Sequence, residues 1–162
     1  MSTIWKPHVT VAAVIERDGR YLLVEEHTTE GLKLNNPAGH LDPGESPQDG
    51  CAREALEETA HRFTPTALVG MYLTHAAATP QQPQGTTYLR LAFSGELGEV
   101  EPGRALDTGI VRTVWLTLDE VRASAPRHRS PVVLQCVLDH AAGRRYPLDV
   151  VHTDPSAVYP AR

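Results

Sequence analysis

Three carboxylates, Glu54, Glu57 and Glu58, stand at relative positions 0, 3 and 4. On an α-helix these positions share one face. Crowding like charges there destabilises an isolated helix by about 0.2–0.5 kcal/mol per pair, so a helix with nothing to bind gains nothing from the pattern. A hard divalent cation does gain, because it takes oxygen ligands and keeps several of its waters. The spacing therefore points to a metal-binding catalytic helix. Arg53 precedes Glu57 by four residues, close enough on a helix to pair with it and hold one carboxylate in place. Ahead of the helix, Pro37, Gly39, Pro43 and Gly44 build a structured loop that can bring backbone carbonyls to the same ions.

The elements that must position these groups are well signalled. Ser46 is an N-cap, Pro47 suits the first turn, and Asp49 places a negative charge near the positive end of the helix dipole. Good helix formers run from Ala52 to Thr59, with Ala52, Ala55 and Leu56 available for the buried side. His8 to Ile15 reads as a strand and Arg20 to Glu26 as its partner across the Asp18-Gly19 turn. Residues 27–36 read as a loop. Thr66 to His75, Thr86 to Leu97 and Ile110 to Leu116 are further strands, separated by loops at 76–85 and 99–109. Thr117 and Glu120 form a capping box for a short helix to about Ala123, and Ser130-Pro131 starts a last helix ending near Gly143. Strands with helices at both ends of the chain predict an α/β fold, a sheet between helical layers.

The run Gly39-x5-Glu45-x7-Arg53-Glu54-x2-Glu57-Glu58 resembles the Nudix box, the signature of hydrolases acting on nucleoside diphosphates linked to another group. That resemblance implies an α/β/α sandwich with a mixed β-sheet, and Mg²⁺ or Mn²⁺ as cofactor. It implies Glu57 and Glu58 as metal ligands, with Glu54 as a third ligand or as the base that takes a proton from water. The backbone carbonyl of Ala38 matches a position that completes the coordination. Arg53 becomes an orienter of Glu57 or Glu45, and Glu45 a partner at the loop–helix junction. Two positions depart from the box: Ala60 replaces its glycine, and His61 replaces an aliphatic residue. If position 60 needs a positive φ, alanine there costs roughly 1 kcal/mol. Family members also use a carboxylate far downstream, for which Glu96 is the best match and Glu99 and Glu101 are competitors.

The resemblance extends to Lys6–Ala12, Asn35–Leu41, Arg129–Val133 and Arg145–Leu148, which together look like the NudJ phosphatase group of that family. It implies orthophosphate release from nucleoside di- and triphosphates and from thiamine-type pyrophosphates, including thiamine pyrophosphate and hydroxymethylpyrimidine pyrophosphate. Two alternatives stay open. One is a Nudix pyrophosphohydrolase of a modified nucleotide or nucleoside diphosphate derivative; the other is a catalytically silent ligand sensor. The aromatic residue that the group carries two residues before its Asn-Pro pair is Leu34 here.

Four more residues are candidates for substrate binding. Asn35 and Asn36 either contact substrate or serve the turn before Pro37. His40 either touches phosphate or is a structural hydrogen-bond donor. Arg129 either binds a phosphate at the start of the last helix or caps and packs it. Trp5 and Trp115 read as packing residues.

The 162 residues suit one domain over 1–150, followed by an irregular tail at 151–162. A net charge of −5 without a lysine- or arginine-rich run argues against duplex nucleic acid. Cys51 and Cys136 give no disulfide framework and read as small buried residues. There is no signal-like N-terminus and no run of about 20 apolar residues. The expectation is a cytoplasmic enzyme with a small-molecule phosphoanhydride substrate, no membrane partner, and a monomeric or homodimeric state.

Overall fold

The computed structural model describes residues 4–160. Its first strand, β1 (His8–Val14), carries no polar alternation beyond Thr10, because both of its faces are covered. Val11 and Ala13, with Ile15 just after them, point to one core, whereas Ala12 and Val14 point to the other. All five are at most 1 % exposed, as a central strand requires.

The remaining elements follow in order: β2 (Glu16–Arg17), β3 (Arg20–Thr28), β4 (Gly31–Asn35), β5 (Ala38–His40), α1 (Pro47–Thr59), β6 (His61–Ala76), β7 (Thr86–Val100), β8 (Ile110–Thr117), α2 (Leu118–Ala123), α3 (Val132–Ala141) and β9 (Tyr146–Pro147). The main sheet has the order β5-β1-β7-β6-β9, with β1 and β7 parallel and the other pairs antiparallel. A second sheet pairs β3 with β2, β4 and β8. α1 packs on one face of the main sheet through Cys51 and Ala55 against Val11, Phe63, Leu91 and Phe93. α3 packs on the other face through Val133, Cys136 and Val137 against Ala12, Val69 and Ala92. The expected α/β/α sandwich with a mixed sheet is the observed fold.

Several local expectations are corrected. Asp18 and Gly19 do form the hairpin turn, both with positive φ (53° and 75°). It joins β3 to the short β2 rather than to β1, which belongs to the other sheet. Residues 31–35 and 38–40, expected as loop, are strands because β3 and β1 offer them ladder partners. Trp115 packs against the α1-side core, but Trp5 is 66 % exposed rather than packed. In α1 the buried side is Cys51, Glu54, Ala55, Glu58 and Thr59, while Ala52 and Leu56 stay partly exposed. The helix is turned so that its carboxylates face inward.

After β9 the chain forms two 3-10 turns at Leu148–Val150 and Pro155–Ala157 and crosses back over the loop that leads into α1. Gln48 Nε2 donates to the Val151 carbonyl (3.3 Å), and the Tyr159 amide donates to the Gly44 carbonyl (3.3 Å). Among the described residues no helix is long and apolar enough to cross a membrane.

Candidate active site

The site is built where α1 lies against β5 and its flanking loops. Ser46 caps the helix by accepting from the Asp49 amide (3.1 Å), which fixes where its carboxylates fall. Gly39 on β5 meets the inward side of the helix, and a Cβ there would lie 2.1 Å from Glu54 Oε1. The glycine is therefore required by the approach of the Glu54 carboxylate, and a larger residue would push that carboxylate away.

Arg53 is the hub. Its guanidinium donates to Glu45 Oε1 (2.7 Å) and Oε2 (3.0 Å), Glu54 Oε1 (2.8 Å), Glu57 Oε2 (3.0 Å) and the His40 carbonyl (3.0 Å). The residue read as an orienter of Glu57 or Glu45 thus grips both, and Glu54 as well. The bidentate fork on Glu45 matches guanidinium geometry, and it contributes most to raising the Arg53 pKa. Burial pushes the Glu45 carboxyl up, but Arg53 and the Asp42 amide outweigh it and hold the group below the usual carboxylate range. Gly50 leaves room for that pair, since a Cβ there would sit 2.6 Å from Glu45 Oε1.

Glu54 and Glu57 each present an oxygen within 4.8 Å of one another and of an Asp107 oxygen. Asp107 was not singled out from the sequence. It lies in the loop between β7 and β8, and its amide donates to the Glu57 carbonyl (3.0 Å), which ties that loop to the helix. An Asp-Thr-Gly turn before a strand is its only local signal, and nothing along the chain links it to α1. Glu96 is not brought here. It is exposed on β7 opposite Thr64, five residues beyond Leu91, which shares a cross-strand row with Gly39. Five residues of strand span about 16 Å. Glu99 is exposed on the same strand, and Glu101 pairs with Arg62 and Arg104.

Glu58 is 7 % exposed and accepts from the Ala38 amide (2.9 Å). Its burial pushes the carboxyl up to about 8; the Ala38 amide opposes that, and Glu54, Glu26 and Asp107 add to it. Burial also raises Glu54; Arg53 counters it, while Glu57 and Asp107 add to the rise. Carboxylates gathered this closely repel one another, and a cation among them would offset that repulsion. The donors are all oxygens, which suits a hard divalent ion and not a soft one.

A cavity of about 460 Å³ adjoins this cluster through Ala38 and Gly39. Its size is that of a small-molecule site. Asn35, His40 and Arg129 line it, whereas Asn36, 1 % exposed, does not. His40 Nε2 and His8 Nδ1 are 3.3 Å apart, and Tyr88 stacks edgewise on the His8 ring. Arg129 donates to Glu26 Oε1 (3.3 Å), and its amide donates to the Leu34 carbonyl (2.8 Å). Leu34 is in the core at 2 % exposure, so its position offers no stacking surface. Sequence reasoning also missed Arg90, on the cavity floor, because an arginine inside a strand reads as an exposed residue.

A mixed sheet between helices, with a carboxylate helix packed on a glycine-bearing strand, defines the class: an α/β/α sandwich with an acidic cluster beside a cavity of small-molecule size. The model of the NUDIX domain matches residues 6–136. The chain is 34 % identical over 148 residues to the phosphatase NudJ of Escherichia coli K12, covering 91 % of this chain and 92 % of that one. It superposes on a NUDIX hydrolase structure from Nitrosomonas europaea with a TM-score of 0.84 at 52 % identity, covering 93 % and 99 %. A MutT protein from Methanosarcina mazei Go1 shares the fold at 21 % identity, with a TM-score of 0.64 and coverage of 88 % and 100 %. The chain belongs to the Nudix hydrolase family.

Proposed function

We propose that this enzyme is a Mg²⁺-dependent phosphatase, with Mn²⁺ as a substitute, acting on the phosphoanhydride bonds of nucleoside di- and triphosphates and of thiamine-type pyrophosphates. Thiamine pyrophosphate and hydroxymethylpyrimidine pyrophosphate are the proposed substrates of the second kind, with orthophosphate as the proposed product; the similarity to a curated phosphatase supports the phosphatase reading. The observation that carries the reading is the cluster of Glu54, Glu57 and Asp107 oxygens joined through Gly39 to a cavity of small-molecule size.

Glu54, Glu57, Glu58 and the Ala38 carbonyl are the proposed holders of the ion, with Asp107 added to them. A divalent ion held there would offset phosphate charge and lower the pKa of water beside it. Arg53 keeps Glu54 and Glu57 at fixed positions, so that little reorganisation remains at the moment of reaction. Glu54 serves as a third ligand or as the base for the attacking water. Asn35, His40 and Arg129, which line the cavity, are the proposed substrate-side residues, and the buried Asn36 supports them from behind.

The deciding experiment measures products from ADP, ATP and thiamine pyrophosphate with Mg²⁺, scoring orthophosphate with and without inorganic pyrophosphatase. Orthophosphate from diphosphates and triphosphates without the helper enzyme is the expected result. If ATP gives orthophosphate only with the helper, the enzyme is a pyrophosphohydrolase. Nucleotide bound but left intact would make it a sensor.

A further inference from the structure

Arg90 lies on β7, in the middle of the main sheet, and is only 8 % exposed. Strand register explains its position. Ala38, Ala12, Ala92 and Gly70 form one cross-strand row of small residues. The row two residues along, His40, Thr10, Arg90 and Tyr72, shares the same face. That face is the one α3 covers, and Ser130, Pro131 and Val132 at the start of α3 wall the cavity above Thr10 and Arg90.

The guanidinium donates to Asn36 Oδ1 (3.0 Å) and Asn35 Oδ1 (3.2 Å), and among the described residues it makes no ion pair. Glu26 reaches it only indirectly: its Oε1 accepts from Asn35 Nδ2 (3.4 Å) and is itself paired with Arg129. The Cys136 thiol also lies beside it, and the buried Asp139 stands beyond, taken up by the Tyr72 hydroxyl (2.8 Å), Gln135 and Arg144 rather than by Arg90. Two neutral amide oxygens orient a guanidinium but do not neutralise it. A guanidinium has five N–H donors, so donors remain beyond those two. A nearly buried cation without a counter-charge is costly, and this one is on the floor of an open cavity. Arg129, half exposed on the opposite wall, and the α3 N-terminus, where no side chain accepts from the first amides, add to the positive potential.

We infer that Arg90 is a substrate-binding residue that takes the phosphate retained on the organic product, the one next to the scissile anhydride. The inference rests on the phosphoanhydride reading of the neighbouring site. Asn35 and Asn36 then act as positioning residues, holding the Arg90 fork toward the ligand, while the transferred phosphate faces the carboxylate cluster. This division gives the enzyme a way to prefer an organic diphosphate over inorganic pyrophosphate, since the cavity also accommodates what the retained phosphate carries.

The test uses metal-free protein in excess EDTA, with AMP, thiamine monophosphate and adenosine as probes in calorimetric titrations. Wild type is expected to bind both monophosphates more tightly than adenosine. Arg90→Gln is expected to weaken monophosphate binding by about 10-fold or more, the usual scale for a lost charged hydrogen bond, with adenosine affected less than 3-fold. Equal loss for AMP and adenosine would mean that Arg90 only orders the Asn35–Asn36 loop, and unchanged AMP binding would mean that it does not contact phosphate; either overturns the inference. Should Arg90→Gln fail to fold, the wild-type protein still decides. The Arg90 side-chain Nε–H resonance must shift on adding AMP and not on adding adenosine, and an unmoved resonance overturns the inference. Because binding is read without turnover, these outcomes are separate from whether orthophosphate or pyrophosphate is released.

Discussion

Arg53 holds Glu45, Glu54 and Glu57 at once, so the charges in this site are coupled and single changes report different things. Glu57→Gln is expected to lower kcat/KM with Mg²⁺ by about 100-fold or more, since even residues that only support metal ligands cost 10–100-fold. Retained activity in a steady-state assay would remove Glu57 from the ion's holders. Gly39→Ala leaves the fold intact, because the new methyl strikes a side chain and not the backbone. It should nevertheless lower kcat by displacing Glu54; full activity would show that Glu54 needs no fixed position. Asp107→Asn is expected to raise the Mg²⁺ concentration needed for half-maximal rate, and Glu96→Gln to leave that titration unchanged. The reverse result would restore Glu96 as the distal carboxylate. At this scale the helix carboxylates were legible because a 0, 3, 4 spacing survives in one dimension. Asp107 and Arg90 were not, since their meaning comes from a loop and a strand brought to the site by tertiary contacts.

Element ends were legible wherever a local hydrogen bond defines them. The Ser46 cap and the Thr117–Glu120 capping box both form as expected. The anticipated cost at position 60 is also present: Ala60 sits at φ 58°, ψ 10°, left-handed, with its amide on the Leu56 carbonyl (2.9 Å). A left-handed alanine is strained by about 1–2 kcal/mol, and glycine gives back part of that relief as chain entropy. Ala60→Gly should therefore stabilise the protein by about 0.5–1 kcal/mol, a rise in Tm of about 1–4 °C by calorimetry; a fall in Tm would contradict this. Strands were harder. β4 (GLKLN) and β5 (AGH) are too short to show a clear alternation and exist only because β3 and β1 pair with them. The β2–β3 hairpin was visible in Asp18-Gly19, but the sheet it belongs to was not.

Across the whole molecule, two helical layers on one sheet bury groups that water would otherwise solvate. His140 on α3 packs against Tyr21 across the layer boundary, with Nδ1 and the hydroxyl 3.1 Å apart. Burial pushes the imidazole down to about 4; Arg145 adds to this, and Glu16 opposes it. The unfolded chain takes up the proton as pH falls through about 6.5, whereas the folded one holds out until about 4. Stability is therefore full above the upper value and is lost progressively as the pH drops across that window. His140→Asn should show a smaller loss of urea midpoint between pH 7 and pH 4.5 than wild type; equal losses would assign the acid sensitivity elsewhere. The layering itself was legible from the order of strands and helices. The return of the chain after β9 onto the loop before α1 was not, since the Tyr159–Gly44 backbone hydrogen bond and the Gln48 side-chain bond to Val151 that mark this path join residues more than a hundred positions apart.

That return has a kinetic corollary. The Tyr159 amide hydrogen is held by the Gly44 carbonyl, in the loop that joins Gly39 to the carboxylate helix. A ligand that quiets this loop must also slow the escape of that hydrogen, because coupling between two places in a protein is reciprocal. The deuterium uptake of one amide near the end of the chain thus becomes a gauge of occupancy more than a hundred residues upstream, readable by mass spectrometry without any substrate being consumed. Uptake at Tyr159 that ignores Mg²⁺ and nucleotide would show the two segments to be neighbours only.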